Sequence, residues 1–492
     1  MRLTPLALLL ALLTAAPAVG QSLTACDGGF AEGYPCSGID LFERLPLFTF
    51  GASDGNDIWG WADPQDGSEY ALVGLSNGTA FVDVTDPSDP VYLGLLPSAT
   101  SSSTWRDVKT IGNYAYIVSE ASGHGMQVFD LTRLRDVQSP PTFFTADARF
   151  GGFGSAHNIV ANDESHYVYA VGQNACAGGL YIVDVSDPLS PQPAGCYDGD
   201  GYTHDAQCLT YDGPDTDYAG RDICMASNED HLAIIDVTDP GAPVLISRGF
   251  YPSPGYTHQG WFTEDRRHFL MNDELDEIFG SAANTRTIVM DVEDLDDPEF
   301  DFFYFGPLQT SDHNLYIRGQ FAFLSNYTGG LRIVDLSDID NDNLVEVASF
   351  DTFPSNNADG FDGQWSNYPF LPSGNLLAND GDTGFFVLKA SELALPAEPE
   401  APGPQGYALG APSPNPFTYG TTLQLTVAET QSVRAEVFDV SGRRVAVLHD
   451  GLVAVGSPLA LRLDADALPA GLYLVRVTGE DFTASRRASL VR

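Results

Sequence analysis

The sequence predicts an all-β protein, with a seven-bladed β-propeller followed by a small C-terminal β-sandwich of the immunoglobulin-like type. Three observations support this prediction. A short apolar and acidic phrase recurs every 44 to 55 residues, which is the size of one four-stranded propeller blade. Glycine (49 residues) and proline (32 residues) are abundant, as many short strands with tight turns require. The C-terminal segment alternates apolar and polar residues with a period of two.

The recurring phrase is clearest as Phe81-Val82-Asp83-Val84-Thr85-Asp86-Pro87, and it returns at 181–188 and 233–240. Its central aspartate falls at Asp83, Asp130, Asp184, Asp236, Asp291 and Asp335, and a seventh copy at 384–388 lacks it. Aspartate, serine and threonine side chains can bond their own backbone in such a turn. We therefore predict that the repeated aspartate has a structural role.

The repeats also predict how the ring closes. The sixth repeat supplies four strand candidates, at 314–317, 321–325, 330–336 and 344–350, whereas the seventh ends after its third strand near Lys389. The segment 45–50 resembles the fourth strands of other repeats. We expect it to complete the last blade, because this would remove an open sheet edge. The propeller is thus predicted to span residues 45–390.

The N-terminus is typical of a signal peptide over residues 1–20. Arg2 supplies the positive charge, residues 6–13 form the apolar region, and Ala18-Val19-Gly20 resembles a cleavage site. No later segment is long and apolar enough to predict a transmembrane span.

Six cysteines fit an oxidising compartment and allow fifteen pairings. Pairings between near neighbours are favoured, namely Cys26–Cys36, Cys176–Cys196 and Cys208–Cys224. The first of these lies in an N-terminal disulfide-containing segment, residues 21–44.

The net charge of −44 is confined to residues 1–410, because residues 411–492 contain eight arginines and eight acidic residues. A surface this acidic repels nucleic acid and anionic membranes. We therefore expect no nucleic-acid partner. The same surface can attract cations or basic partners, and it can simply keep the chain soluble in high salt.

The repeated phrases resemble those of the LVIVD-repeat proteins, specifically the choice-of-anchor B group of secreted bacterial proteins. The resemblance covers most of residues 22–390. It implies a repeat fold and export, and it implies no established activity.

Residues 391–412 are rich in proline, alanine and glycine and are predicted to be a linker. Residues 413–492 carry three phrases in order: Pro414-Asn415-Pro416-Phe417, then Val437 to Val445, then Leu468-Pro469-Ala470-Gly471-Leu472-Tyr473. Together they resemble a type A sorting domain of the type IX secretion system. The resemblance implies that the type IX machinery is a partner of residues 413–492. It also implies passage across the outer membrane, removal of this domain, and an extracellular or surface-attached product.

Aligning the first strands of the repeats gives one informative column: Asn56, Arg106, His157, His204, His258, His313 and Asp362. Imidazoles at one level of a central channel could hold a divalent transition metal, with Asp362 or Asp205 as an oxygen ligand or outer partner. The alternative is a ring of histidines that satisfy one another or channel water without a metal.

Calcium is the second candidate cofactor. Asp338, Asp340 and Asp342 place carboxylates on one turn, and Asp212, Asp215 and Asp217 do so on another. Neither segment has the full pattern of an EF-hand loop.

No nucleophile elbow or phosphate-binding loop is present in the sequence, so no catalytic residue can be assigned. Two functions remain open. The first is a surface module that binds an unknown extracellular ligand through the propeller loops. The second is a metal-dependent hydrolase or oxidoreductase at the histidine-lined channel.

Overall fold

The structure is a computed structural model. It describes residues 23–391, 393, 407–410, 412, 417, 420–428, 430–439, 443–455, 458–465, 468–469, 471–479 and 482–490. The predicted signal peptide, most of the linker, and the motif residues 414–416 and 441–442 lie outside these residues. Within them the chain is built almost entirely of strands, which confirms the all-β fold class. None of the described helices is both long and apolar enough to cross a membrane.

Residues 40–389 form seven antiparallel sheets, each with four core strands, which we call blades 1 to 7. Blade 1 contains β4 (Gly55–Ala62), β5 (Glu69–Leu75), β6 (Gly78–Asp83) and β7 (Val91–Pro97); blade 2 contains β8 (Arg106–Ile111), β9 (Tyr114–Ser119), β10 (Met126–Asp130) and β12 (Ala148–Phe150). Blade 3 contains β13 (Asn158–Asn162), β14 (Tyr167–Val171), β15 (Leu180–Asp184) and β16 (Gln192–Tyr197); blade 4 contains β17 (Asp205–Thr210), β18 (Asp222–Ser227), β19 (Leu232–Asp236) and β20 (Val244–Gly249). Blade 5 contains β21 (Thr257–Phe262), β22 (His268–Asp273), β23 (Arg286–Asp291) and β24 (Glu299–Phe305); blade 6 contains β25 (Leu315–Arg318), β26 (Phe321–Ser325), β27 (Leu331–Asp338) and β28 (Asn343–Phe350). Blade 7 contains β29 (Gln364–Tyr368), β30 (Leu376–Asp380), β31 (Gly384–Lys389) and the N-terminal strand β3 (Asp40–Leu45).

Short elements lie between or beside these strands. They are β1 (Phe30–Ala31), β2 (Tyr34–Ser37) and β11 (Thr142–Phe143), the helical turns α1 (Leu47–Phe50) and α2 (Asp276–Phe279), and two 3₁₀ turns, Leu131–Leu134 and Ile339–Asn341. Strand β11 pairs in parallel with β7, and β2 pairs with the outer edge of β28.

The blades form a closed ring. The first strand of each blade lies against the first strand of the next, and β29 of blade 7 lies against β4 of blade 1. At this junction the Asn379 amide donates to the carbonyls of Asn56 (2.9 Å) and Gly74 (3.0 Å). Between blades the faces pack through apolar side chains. Phe81 of blade 1, for example, stacks on Phe129 of blade 2 with ring centroids 4.5 Å apart. The seven first strands therefore surround a common channel.

The strand that completes blade 7 begins and ends earlier than the sequence predicts. The prediction of a strand over 45–50 is wrong, because Leu47–Phe50 forms the helical turn α1 and Asp40–Leu45 pairs with β31. Pro46 interrupts the extended run, since proline has no backbone N–H to give to a ladder. At this junction Gly384 has φ 111°, and a Cβ there would lie 2.5 Å from the carbonyl oxygen of Leu45. Glycine therefore permits the close approach of the two chain ends.

The three predicted disulfides are present: Cys26–Cys36, Cys176–Cys196 and Cys208–Cys224. Cys26–Cys36 fastens the segment that precedes β3. The same segment adds β1 and β2 to blade 6, so it is continuous with the ring rather than a separate unit. The predicted boundary at residue 45 is therefore too late.

The repeated aspartate has the structural role that its position predicts. In all six copies its carboxylate accepts a hydrogen bond from the backbone N–H two residues later, at 2.8 to 3.0 Å. This bond stabilises the turn that follows the repeated phrase in blades 1 to 6, as expected for an Asx turn.

The C-terminal part is a second β structure. One sheet contains β32 (Tyr407–Leu409), β33 (Gly420–Val427) and β36 (Leu459–Asp464); the other contains β34 (Gln431–Asp439), β35 (Arg444–Val453), β37 (Gly471–Thr478) and β38 (Thr483–Leu490). Their apolar faces share one core that includes Leu423, Val437 and Val475. The motif residue Phe417 is buried in this core, and the hydroxyl of Tyr473 donates to the carbonyl of Pro469 at 2.6 Å.

Candidate functional site

Four histidines occupy one level of the channel, at the start of the first strands of blades 3 to 6. The backbone N–H groups of His157, His204 and His313 each donate to a carbonyl of the second strand of the same blade, at 2.8 to 3.1 Å. This shared register places the side chains at the same height. Consecutive imidazole rings lie 4.3, 4.1 and 4.4 Å apart from His157 through His204 and His258 to His313.

The rings are oriented by hydrogen bonds at Nδ1. Nδ1 of His204 bonds the carbonyl of His258 at 3.1 Å, Nδ1 of His313 bonds the carbonyl of Trp365 at 2.5 Å, and Nδ1 of His157 bonds the Glu120 carboxylate at 2.6 Å. A proton held at Nδ1 leaves Nε2 as a free lone pair, which is the arrangement found in most metal-binding histidines.

Glu274 completes the cluster, although it does not lie in the aligned first strands that carry the histidines. Its carboxylate lies 3.9 Å from Nε2 of His258 and 3.7 Å from Nε2 of His313, and it accepts a hydrogen bond from the hydroxyl of Tyr327 at 2.6 Å. One ligand atom each from His204, His258 and Glu274 can be chosen so that all three lie within 4.8 Å of one another. Two imidazole nitrogens and one carboxylate oxygen at this spacing can share one metal ion, with His313 beside them.

Burial sets the protonation of these groups. It lowers the pKa of His204 and His258 well below the usual value, and the neighbouring imidazoles lower it further. Burial also lowers the pKa of His313 to about 4 and raises the pKa of Glu274 to about 7. His204, His258 and His313 are therefore neutral at pH 7, which is the form that binds metals. Both ring nitrogens of His258 are buried without a hydrogen-bond partner.

Of the two predicted oxygen partners, neither lies in the cluster. Asp362 is exposed and does not line the histidine cavity, and Trp365 takes the equivalent position in blade 7. The sequence alignment places the column at Asp362, three residues before Trp365, because blade 7 has no histidine at this position. Asp205 is buried one residue beyond His204 and accepts from the N–H of Ala206 at 2.7 Å.

The histidines face two connected spaces. All four line a small cavity of ≈ 10 Å³, enough for about one water molecule or ion. A larger cavity of ≈ 470 Å³ opens at the channel mouth. Its wall is aromatic and acidic: Thr104, Trp105, Glu120, His157, Tyr202, His204, Tyr256, Glu274, Leu275, His313, Tyr327, Phe361 and Trp365. A ligand in the larger cavity can therefore touch the histidine–glutamate cluster.

A second charged layer lies in the channel beside the histidines. Lys109 Nζ lies 2.5 Å from the Asp107 carboxylate, 3.3 Å from that of Asp57, and 4.6 Å from the centre of the Trp59 ring. All three charged residues are buried. Although burial favours the neutral amine, the two carboxylates raise the pKa of Lys109 well above its usual value. Lys109 is therefore the cation that allows two carboxylates to remain inside the ring.

The structure does not bring the predicted calcium ligands Asp338, Asp340 and Asp342 together. Asp338 accepts from the amides of Asn341 and Asn343, at 2.6 and 2.8 Å, and Asp340 pairs with Arg267 at 3.0 Å. They form no three-ligand cluster in the part of the chain that the structure describes. These acidic residues, although close in sequence, contact different partners across the turn. In the second predicted segment, Asp215 instead lies near Asp294 and Asp296.

Comparisons with known proteins identify both parts of the chain. The LVIVD repeat model matches residues 104–123, 154–199, 220–249 and 312–352, and the model of the secretion system C-terminal sorting domain matches residues 413–489. The search of curated proteins found no match.

Several solved structures are similar to this chain. One is a functionally unknown protein from Desulfotomaculum acetoxidans, with 11% identity and a TM-score of 0.42 over 64% of this chain and 89% of that chain. A protein from Lactobacillus plantarum has 12% identity and a TM-score of 0.44, covering 84% of this chain and 100% of the other. The extracellular domain of a hybrid two-component system from B. thetaiotaomicron has 11% identity and a TM-score of 0.43, covering 92% and 59%.

The repeat matches fall on blades 2, 3, 4 and 6, and the sorting-domain match covers the C-terminal sandwich. A sorting domain of this type marks a protein that is secreted or attached to the outer membrane, and three disulfides are consistent with that location. The chain therefore contains LVIVD repeats in its propeller and a C-terminal sorting domain of the type IX secretion system.

Proposed function

We propose that the exported protein is a surface binding module that holds a divalent transition-metal ion in its channel and captures a small ligand above it. The observation that carries the proposal is the convergence of His204, His258 and Glu274, whose ligand atoms lie within 4.8 Å of one another. If the histidines only hydrogen-bonded one another, their ring nitrogens would act as donors and acceptors in those bonds. Here neither nitrogen of the buried His258 makes a hydrogen bond, and Nε2 lies 3.9 Å from the Glu274 carboxylate.

The donor set favours zinc among the common divalent ions. Imidazole nitrogens with one carboxylate suit Zn²⁺ in a tetrahedral site, whereas Ca²⁺ and Mg²⁺ prefer oxygen donors. His204, His258 and Glu274 would supply three ligands, and His313 is placed to supply a fourth or to hydrogen-bond a ligand. When bound, the ion would act as a Lewis acid toward a ligand oxygen.

The cavity at the channel mouth supports the second half of the proposal. Its aromatic residues, Trp105, Tyr202, Tyr256, Tyr327, Phe361 and Trp365, offer ring faces and edges to a ligand. A volume of ≈ 470 Å³ suits a small molecule rather than a protein loop. We infer a ligand with a flat or ring-shaped apolar face and one anionic or carbonyl group directed at the metal.

A second function, metal-dependent hydrolysis, is supported by one specific observation. The hydroxyl of Tyr327 lies beside the cluster, at 2.6 Å from Glu274, and lines the open cavity. The hydroxyl has one proton, which it gives to Glu274; once Glu274 bound a metal, that proton could be given instead to a substrate carbonyl whose oxygen approaches the metal. Turnover of ester or phosphodiester substrates by the zinc-loaded protein would favour this function over binding alone.

The metal is tested by elemental analysis of protein purified without chelators. We expect about one equivalent of transition metal per chain. Because the double variant His204→Ala/His258→Ala removes two of three ligands, its metal content should fall at least tenfold. His166→Asn is the matched control, because His166 is exposed, is far from the column in register, and has a positive φ that asparagine tolerates. Absence of metal in the wild-type protein, or its retention in the double variant, would overturn the proposal.

The ligand cavity is tested with the zinc-loaded protein on glycan and small-metabolite arrays. For the strongest hit, Phe361→Ala should weaken binding about 2- to 10-fold, because one aromatic contact is lost. Phe305→Ala is the control: Phe305 is 55% exposed and Phe361 is 52% exposed, but Phe305 lies outside the cavity. Equal loss in both variants would place the binding surface elsewhere, and the cavity assignment would be abandoned.

A further inference from the structure

A second cluster of possible metal ligands lies in blades 5 and 6, outside the histidine site. It consists of Asp276, Glu277 and Asp312, which are 0%, 8% and 4% exposed. One carboxylate oxygen from each lies within 4.8 Å of the other two. This upper limit of 4.8 Å is twice a typical Ca²⁺–oxygen distance of about 2.4 Å, so the three oxygens can surround one ion.

Most oxygens of this cluster lack hydrogen-bond partners; the exception is the second oxygen of Asp312, which accepts from the backbone N–H of Arg286 at 2.9 Å. Both oxygens of Glu277 and one oxygen of Asp312 are buried and make no hydrogen bond. Neither carboxylate oxygen of Asp276 makes one, although one lies 2.5 Å from Nε of Arg286 as an ion pair. Buried carboxylates without hydrogen bonds are costly unless a cation is beside them.

Arg286 does not balance the charge. Its guanidinium also lies 3.5 Å from Asp273, a fourth buried carboxylate. Asp273 is well satisfied, since it accepts from the Tyr251 hydroxyl (2.8 Å) and from the N–H groups of Gly255 and Tyr256 (2.6 Å each). The guanidinium thus pairs with two of the four buried carboxylates, Asp273 and Asp276, and the excess negative charge falls on Asp276, Glu277 and Asp312.

We propose that Asp276, Glu277 and Asp312 bind a calcium ion. All three donors are carboxylate oxygens, which suit a hard cation and do not select zinc. A cavity of ≈ 310 Å³ borders Glu277 and gives access from solvent. Among its other lining residues, Gln309, Asn357 and Asp359 carry side-chain oxygens. Ca²⁺ needs six to eight oxygens, and water in this cavity can supply those that the three carboxylates do not.

A shared proton is the alternative to a cation. Burial, together with the charge of Asp312, raises the pKa of Glu277 to about 12 when no ion is present. The two alternatives differ in what they predict, because a proton-sharing cluster gains nothing from added calcium.

The site is independent of the channel metal, but the two are adjacent in sequence. Glu274 faces the channel cavity, while Asp276 and Glu277 lie in the cluster; His313 lines the cavity, while Asp312 lies in the cluster. If the proposed channel site is also correct, a bound calcium would fix the two segments that carry Glu274 and His313.

The test is calcium binding by the full-length protein after EDTA treatment and dialysis into chelator-free buffer. Isothermal titration with CaCl₂ should give about one site with a Kd of about 0.1–1 mM or tighter, as for extracellular calcium modules. At about 100 times Kd the Tm should rise by about 5 °C. Glu277→Gln and Asp312→Asn keep the side-chain shapes and should abolish both effects.

Two controls separate this site from the others. Asp294→Asn/Asp296→Asn alters an exposed acidic cluster and should leave calcium binding unchanged. His204→Ala/His258→Ala should also leave it unchanged, so failure of the channel proposal does not affect this one. No calcium binding to the wild-type protein, or full binding by Glu277→Gln and Asp312→Asn, would overturn the proposal. If neither variant folds, the Asp294→Asn/Asp296→Asn variant decides between the two locations. Loss of calcium binding in that variant would place the ion at the exposed cluster and overturn the proposal.

Discussion

Replacing Lys109 with methionine is expected to lower the free energy of unfolding by about 3–5 kcal/mol, because it leaves buried carboxylates without their cation. The methionine retains most of the apolar stem, so the effect comes from the lost charge. Asp107 and Asp57 keep other bonds, since they accept from the N–H groups of Val108 (2.6 Å) and Ile58 (2.7 Å), but no other cation contacts them among the described residues. Guanidinium unfolding of wild type and variant measures the difference.

Lys389→Met is the matched control, because Lys389 is the only other lysine in the chain. It bonds the carbonyl of Ser373 at 2.7 Å near the surface and should cost less than about 1 kcal/mol. Adding Asp107→Asn to the Lys109 variant should recover part of the loss, because one of the two unpaired charges is then removed. Similar losses for Lys109→Met and Lys389→Met would contradict the assignment of Lys109 as the buried counter-ion.

The deficit of Lys109→Met should also shrink as the pH falls from 7 toward 5. Burial raises the pKa of Asp107 well above its usual value even beside Lys109. Without Lys109 the folded pKa rises further, so the folded state binds a proton more tightly than the unfolded state, whose pKa is about 3.9. Lower pH therefore favours the folded variant. A deficit that stays constant with pH would exclude unpaired carboxylates as its cause.

Replacing Leu41 with aspartate is expected to cost about 3–5 kcal/mol, because it buries a carboxylate in an apolar core at the ring closure. Leu41 is 1% exposed, pairs with Leu388 of β31, and packs in a cluster with Phe350 and Phe386. Ser37→Asp is the control, because Ser37 lies in the same N-terminal segment but is exposed. The measurement is denaturant unfolding of both variants.

Hydrogen exchange shows whether the loss arises at the closure. In Leu41→Asp, amides of β30 and β31 should exchange faster, because strand β3 no longer protects blade 7, whereas β18 and β19 of blade 4 should change less. Faster exchange in all blades equally would mean that the variant unfolds globally. No change in blade 7 would contradict the role of β3 as the closing strand.

The sequence predicts the regular parts of this molecule well, because they repeat. The six aspartates mark the same turn in blades 1 to 6, and the three local cysteine pairs form disulfides. The glycine before the third strand is a further sequence signal of the repeat. At Gly330, for example, a Cβ would lie 2.3 Å from the carbonyl of Phe350. Such glycines mark where the third strand meets the fourth.

The candidate site was only partly predictable. The histidines share one position in the repeat, so alignment finds them. Glu274 lies directly after the second strand of blade 5, and Glu120 lies at the same place in blade 2, where it contacts His157. An acidic residue directly after a second strand was therefore the missed signal. The buried carboxylate cluster had no sequence signal, because Asp312 and Glu277 come from different blades and are brought together only by packing.

The pairing of β3 with β31 also sets an order of events during synthesis. The guanidinium of Arg44 bonds the carbonyl of Thr383, 339 residues later in the chain. At elongation rates of about 5–20 residues per second, Thr383 is synthesised about 17–70 s after Arg44. During that interval the edge of β3 that later pairs with β31 is unpaired and open to pairing with another chain. The C-terminal sorting domain follows β31 in the sequence, so it leaves the ribosome only after all strands of the ring have been synthesised.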